Sequence, residues 1–146
     1  MTIDDSFDVH APLDRVWALL KDVPRVATCM PGAEITEVVD DKTYRAKVGV
    51  KAGPVSVTYR ATIVLTSIDD ATHTATLDVQ GDDIKGRGGV RATVVSSAEA
   101  RDGLTHVSVH TEAHISGIIA TVGGRLIEGV AKKTIAQFAT NLAAIV

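Results

Sequence analysis

Three histidines recur at every fourth position near the end of the chain, His106, His110 and His114, and imidazole is the commonest metal ligand among side chains. The residues around them alternate in character. Val107, Val109, Thr111, Ala113 and Ile115 occupy one parity, and Ser108 and Glu112 join the histidines on the other, which is the period of a strand. Positions i and i+4 of a strand share a face about 13 Å apart, too far for one shared ion. The histidines are therefore expected on a solvated outer face, and no metal site is expected. His10 and His73 stand alone at strand or turn positions.

The single cysteine, Cys29, precedes Met30-Pro31-Gly32, and a reactive thiol there would need a neighbouring base or positive charge. Arg25 lies one helical turn away, but no histidine partners the thiol, so a packing or pocket-lining role is expected. Met30 carries a flexible thioether, suited both to ordinary core filling and to a surface that fits varied ligand shapes. The run from Gly81 to Gly89 is glycine-rich yet matches neither G-x-x-x-x-G-K-[ST] nor a strand-to-helix G-x-G-x-x-G. Asp82 and Asp83 would also repel phosphate, so an irregular hairpin displaying charge is the expectation. Arg45, Lys47 and Lys51 fall on the polar parity of one strand, where they are simply solvated or meet acidic headgroups or an acidic protein surface. Lys132-Lys133 on the outer side of the last helix reads the same way.

A net charge of −3 and a pI near 5.9 argue against nucleic acid as the main partner. One cysteine excludes an internal disulfide and a multi-cysteine metal cluster, which fits a reducing compartment such as the cytoplasm. Asp4, Asp5 and Asp8 stand where a signal peptide would be basic and then apolar, and no apolar run approaches the roughly 18 residues of a membrane span. One domain over residues 1–146 is expected. The last residues, Asn141 to Val146, stop on apolar side chains without a cap, which points to an extension beyond them.

The elements that must position these residues are legible from period. Ile3, Phe7 and Val9 suggest a first strand. Pro12 then opens a short helix with Leu13, Val16, Trp17 and Leu20 on one side, expected to end at Val23 before Pro24, and a brief second turn covers residues 25–30. Period two predicts strands at 34–39, 43–51, 55–68, 72–80, 89–98 and 105–115, an antiparallel meander punctuated by turn residues that include Gly81-Asp82-Asp83. A long amphipathic helix over 118–145 follows, its stripe running through Ile119, Val122, Leu126, Val130, Phe138, Leu142 and Ile145.

That stripe must bury itself against the sheet, whose inward parity is paved with slim residues: Val48, Val50, Val57, Tyr59, Ala61, Leu77, Val79, Ala92 and Val94. Only Tyr59 among them is large. The chain holds nineteen alanines and twenty valines against 3% aromatics. Since protein interiors pack to a density of roughly 0.74, a concave wall so lined calls for a second filler, a bulky helix face or an apolar ligand. Gly123, Gly124 and Gly129, each costing about 1 kcal/mol inside a helix, imply that room is needed there. The expected lining of an apolar pocket is therefore these strand residues together with Cys29, Met30, Ile119, Val122, Gly123 and Leu126.

The element order, with Val9-His10-Ala11-Pro12 leading into Val16-Trp17, resembles the lipid-transfer-like superfamily of START domains, pollen allergens and polyketide cyclases. Within it the chain resembles the G subunit of carbon monoxide dehydrogenase, through Cys29-Met30-Pro31-Gly32-Ala33, Val48-Gly49-Val50-Lys51-Ala52-Gly53-Pro54 before Tyr59, Gly81 followed by Gly86-Arg87-Gly88, and Ile115-Ser116-Gly117 leading to Gly124-Arg125-Leu126-Ile127. The resemblance implies an α+β helix-grip fold, a seven-stranded antiparallel sheet wrapped around a long C-terminal helix with two short helices after the first strand. It also implies an accessory protein rather than a catalyst. Such a protein docks a molybdenum-containing carbon monoxide dehydrogenase complex at the inner face of the cytoplasmic membrane, members often using a C-terminal extension. Because that dehydrogenase must pass electrons to a membrane pool, the ligand expected on this reading is a respiratory quinone, menaquinone or ubiquinone. A cyclase or hydrolase acting in the pocket would need convergent acids and bases, and the inward parity offers mainly Tyr59 and Thr111. A membrane tether without ligand is the third reading.

Overall fold

A computed structural model describes all residues, Met1 to Val146. Seven strands form one antiparallel sheet in the order β1-β7-β6-β5-β4-β3-β2. They are β1 (Thr2–Val9), β2 (Ala33–Val38), β3 (Thr43–Ala52), β4 (Val55–Asp69), β5 (Thr74–Asp83), β6 (Gly89–Arg101) and β7 (Leu104–Ile115). The six-strand meander is present as its period predicts, and β1 closes the far edge by pairing with β7. Helices α1 (Leu13–Leu20) and α2 (Val23–Cys29) carry the chain from β1 to β2 at the opposite edge. A short 3-10 turn (Ile119–Val122) then leads into α3 (Gly124–Ile145), giving the expected α+β helix-grip arrangement.

Three boundaries differ from the sequence expectation, each for a physical reason. Helix α1 ends at Leu20, and Pro24 starts α2 instead of ending α1. Asp22 caps α2 by accepting from the Arg25 amide at 3.3 Å, and Pro24 sits in the first turn, where its missing N–H has no helical partner to lose. The stretch Gly81-Asp82-Asp83 is strand rather than turn, because Gly81 pairs with Ala61 and Val90, and Asp83 with Tyr59. The tip of that hairpin is residues 84–88. The helix expected over 118–145 is broken at Gly123, whose φ of 93° and ψ of 153° lie outside helical space. The break turns the stripe: Ile127 and Val130 pack inward with Phe138 and Leu142, whereas Leu126 and Ile145 are exposed.

Two apolar clusters hold sheet and helices together. The larger gathers Val16, Trp17, Leu19 and Leu20 of α1 with Cys29, Val107, Phe138 and Leu142. Phe7 meets Phe138 edge-on at 6.0 Å between ring centroids, and Asn141 Nδ2 donates to the Cys29 carbonyl at 2.9 Å, joining α2 to α3. Trp17 Nε1 and Lys21 Nζ both donate to Asp70 in the β4–β5 turn, and these contacts hold its carboxyl below the usual range. The smaller cluster, Ala52, Val57, Tyr59 and Ile119, lies at the other end of the sheet.

The corner where β7 leaves the sheet is stitched to the β5–β6 tip. Ile118 N–H donates to the Arg87 carbonyl and Ser116 N–H to the Gly89 carbonyl, both at 2.9 Å. This approach works only without side chains: a Cβ on Gly117 would collide with the Arg87 carbonyl oxygen. We expect Gly117→Ala to lower the melting temperature by roughly 5–10 °C, whereas Gly86→Ala, equally left-handed but facing open space, should cost only backbone strain, roughly 2–4 °C. Differential scanning calorimetry of the two variants checks this.

The β1–β7 edge carries the histidines on its outer face, as their parity predicts. His106 Nδ1 lies 2.7 Å from Asp8 Oδ1, and His110 contacts both Asp4 and Glu112. The Asp4 carboxylate first, and Glu112 second, raise the His110 pKa above its ordinary 6.5. A raised imidazole pKa contributes stability that is complete below the unfolded value and is lost as pH rises through the folded one. NMR should place the His110 midpoint above 6.5 and move it back toward 6.5 in Asp4→Asn, with a melting temperature that falls less steeply with pH in that variant.

Candidate functional site

The inner face of the sheet is narrowest in side chain at its centre. Register places Ala46 beside Ala61 and Ala61 beside Gly81, while Val79 pairs with Ala92 and Ala92 with Ala113. The small residues thus fall in two adjacent rows, Ala46–Ala61–Gly81 across β3 to β5, continued by Val90, and Ala92–Ala113 across β6 and β7, preceded by Val79. The two apolar clusters flank this bed on either side, and the inward residues Ala46, Val48, Ala61, Val79, Ala92 and Ala113 join neither. Opposite the gap between clusters α3 presents Ala131, Thr134 and Ile135 between Val130 of one cluster and Phe138 of the other, all half-buried, with Ile135 packed on the larger cluster.

The residues expected to line a pocket divide among three places. Val48, Val79 and Ala92 belong to the bed. Val50, Val57, Tyr59, Ile119 and Val122 form or adjoin the smaller cluster. Cys29, Met30, Leu77 and Val94 form or adjoin the larger one. Cys29 is sealed at 1% exposure, its Sγ 3.6 Å from the Arg25 carbonyl, rather than standing at an opening. Gly123 caps α3, and a Cβ there would meet nothing within 4 Å. The same is true of Gly129, so neither glycine is explained by crowding beneath the helix. Leu126 is 39% exposed and lies over the β3–β4 turn, its Cδ2 2.9 Å from where a Gly53 Cβ would be.

Tyr59 is the distinctive group. It is 6% exposed, yet no protein group hydrogen-bonds its hydroxyl, and no side-chain polar atom in the protein is both fully buried and unpaired, so this hydroxyl opens onto accessible space. Burial, and then the Asp83 carboxylate, push its pKa above the ordinary 10, which keeps the phenol neutral and able to donate.

Its strand partner Asp83 points inward with a side chain only 1% exposed. Arg87 Nε donates to it at 2.6 Å, and the amides of Lys85 and Arg87 add two further bonds at 3.1 and 3.2 Å. The Arg87 bond foremost holds the Asp83 carboxyl below its usual range. Arg87 Nη2 also donates to the Ser56 carbonyl on β4 at 3.2 Å. Sequence reasoning missed this clasp by reading Asp83 as a turn residue. Its parity with Val79 and Gly81 was the available signal. The same parity rule places Asp5, between Ile3 and Phe7, among the inward positions of β1.

Two open hollows of about 520 and 440 Å³ lie elsewhere, sharing Gln80, Arg91 and His114 as lining. The first sits at the β5–β6 tip, and the second dips into the outer face beside Asp78, Thr93 and Glu112. Both are polar and exposed.

Chemically, the inner face offers an apolar bed, one free phenolic donor, the Asp83 carboxylate already engaged by three donors and, on the edge strand, the half-buried Asp5. No histidine shares that face. The arrangement suits the binding of an apolar molecule bearing a hydrogen-bond acceptor.

Comparison with known proteins agrees with this architecture. A conserved protein from Geobacillus kaustophilus superposes with a TM-score of 0.87 at 26% identity, covering 99% of this chain and 93% of its own. The ZhuI aromatase/cyclase from Streptomyces sp. R1128 gives 0.67 at 15% identity, over 99% and 92%. A START superfamily protein from Mycobacterium smegmatis gives 0.63 at 14%, over 98% and 94%. Comparison with curated proteins gives no match. The family of carbon monoxide dehydrogenase G subunits, CoxG, matches residues 6–146, almost the whole chain. The START-like fold and this near-complete match together make the chain a member of the CoxG family of carbon monoxide dehydrogenase G subunits.

Proposed function

We propose that the protein is a non-enzymatic accessory factor that holds a respiratory quinone, menaquinone or ubiquinone, against the alanine bed beneath α3, and couples an aerobic carbon monoxide dehydrogenase to the membrane. Family membership supports the accessory role and the dehydrogenase as partner. The ligand reading is carried by one observation, the unpartnered hydroxyl of nearly buried Tyr59 beside a bed of small side chains. A quinone has two carbonyl acceptors, no donor and an isoprenoid tail. Its headgroup would accept from the Tyr59 hydroxyl, and its tail would lie along Ala46, Ala61, Ala92 and Ala113. The Asp83–Arg87 clasp keeps the nearby carboxylate satisfied, so no free anion opposes the carbonyl oxygen.

Cyclase or hydrolase chemistry needs a base free to take a proton. Asp83 is bound by three donors, the half-buried Asp5 lies on the edge strand β1 opposite Val109, four strands from Tyr59, and His106 and His110 face outward. The likeness to an aromatase/cyclase, at 15% identity, speaks for shared architecture alone.

Mass spectrometry of an organic extract of the native protein should yield quinone near one per chain, and its persistent absence would overturn this reading. Tyr59→Phe should weaken quinone binding about two- to tenfold, the effect of one neutral hydrogen bond, while leaving the fold intact. Ala92→Phe should abolish binding by filling the bed, and an unaltered affinity would place the ligand elsewhere.

A further inference from the structure

Strand β1 is held unequally along its length. Its second half is anchored by packing, since Phe7 meets the Phe138 ring and Val9 is 1% exposed. The first half has no such anchor: none of Met1, Thr2, Ile3, Asp4 and Asp5 belongs to either apolar cluster or packs against one. What fastens these residues is the ladder to β7 at the edge of the sheet, together with the charges beside it.

Those charges are mostly of one sign. Asp4, Asp5 and Asp8 fall within eight residues that include no lysine, arginine or histidine. Met1 and Ala113 exchange both backbone hydrogen bonds, each 2.9 Å, which occupies the Met1 ammonium. By the alternation of an antiparallel ladder, Asp4 and His110 then form a non-hydrogen-bonded pair, the kind that brings side chains closest. There His110 Nδ1 meets Asp4, and its Nε2 lies 3.4 Å from Glu112. On the other flank β6 sets Val95 opposite His110, with Thr93 and Ser97 beside it, so no charge comes from that side. Glu99, opposite His106, is paired with Arg101, and Arg91 stands opposite His114. Asp5 is half-buried on the inner side and pairs with no cation, although Lys132 and Lys133 are exposed on α3. His110 is thus the one basic side chain bonded to this half of the strand. Protonated, it offsets Asp4 and Glu112; neutral, it leaves two carboxylates to repel each other across the edge.

The same residues cover the end of the inner face. Met1 pairs with Ala113, where the row Val79–Ala92–Ala113 ends, and Ile3 pairs with Thr111. Met1 Cε also reaches the start of α3, 3.8 Å from where a Gly124 Cβ would stand.

We propose that residues 1–5 are a strap over the β7 side of the small-residue bed, fastened while His110 is protonated and loosened when it gives up that proton, so that the inner face opens sideways between β7 and α3. Asp4 foremost, and then Glu112, favour the protonated imidazole. The fastening is therefore complete below the ordinary 6.5 and is lost as pH rises through the higher folded-state midpoint. The strap stands on ladder, charge and packing alone. Its use, as a side exit for an apolar ligand, rests on the quinone reading.

Amide hydrogen exchange followed by NMR tests the strap. The Ile3 and Asp5 amides, which point at β7, should lose protection roughly three- to tenfold across the His110 midpoint, after correction for base catalysis, a small factor because the pair is solvent-exposed. The Ala61 amide in central β4 should keep its protection. Asp4→Asn and His110→Gln should each flatten the dependence, whereas Asp8→Asn, on the anchored half, should leave it in place. Protection that stays constant through the midpoint, or a loss that persists in both Asp4→Asn and His110→Gln, overturns the strap. Protein loaded with decylubiquinone then separates the two readings. Its release into detergent should quicken by the same factor over the same pH range, and not in Asp4→Asn. Release indifferent to pH while protection falls overturns the sideways exit. Failure to load decylubiquinone counts against the quinone reading, and the exchange data still decide the strap.

Discussion

A sheet can grip a helix only as closely as the side chains between them allow, and here five neighbouring strands contribute methyl groups or a hydrogen at their centre. Everything else in the architecture accommodates that bed. The residues able to bridge sheet and helix are pushed to its two sides, Phe138 and Leu142 toward α1 and α2, Ile127 and Val130 toward the 3-10 turn. The fold is thus anchored at both ends of α3, with small strand residues between the anchors.

The two anchors differ in what fixes them. The α1–α2 end is held by packing and by the hydrogen bonds from Trp17, Lys21 and Asn141. The 3-10 end depends on backbone proximity, the Arg87–Ile118 and Gly89–Ser116 bonds, which require glycine at 88 and 117. Asp83 and Arg87 shape the loop that offers those carbonyls, so a buried ion pair governs how the chain turns from β7 into α3. In this way an electrostatic contact on β5 sets the position of Ile119 above Tyr59.

Much of this was legible because strand parity survives folding: alternation alone put Val48, Tyr59, Val79 and Ala92 on one face and the histidines on the other. Local punctuation was less reliable. Gly81-Asp82-Asp83 has turn composition, but pairing with both neighbours keeps it in the sheet. Pro24 excludes a helix before it and equally favours one after it, and Asp22 decides between these. Gly123 reads as a weak helical residue until its φ shows that it is the break. What no local pattern carried was the seating of the long helix, which leaves Leu126 outside and seals Cys29 within. That depends on contacts between residues more than a hundred positions apart, such as Asn141 to Cys29.

The lone indole has a practical bearing. Trp17 belongs to the larger cluster, set edge-on to His73 at 5.5 Å and beneath the Lys21 ammonium, apart from the alanine bed. Its emission therefore follows the integrity of the α1–α2 anchor. The molecule carries a built-in fluorescent gauge of folding.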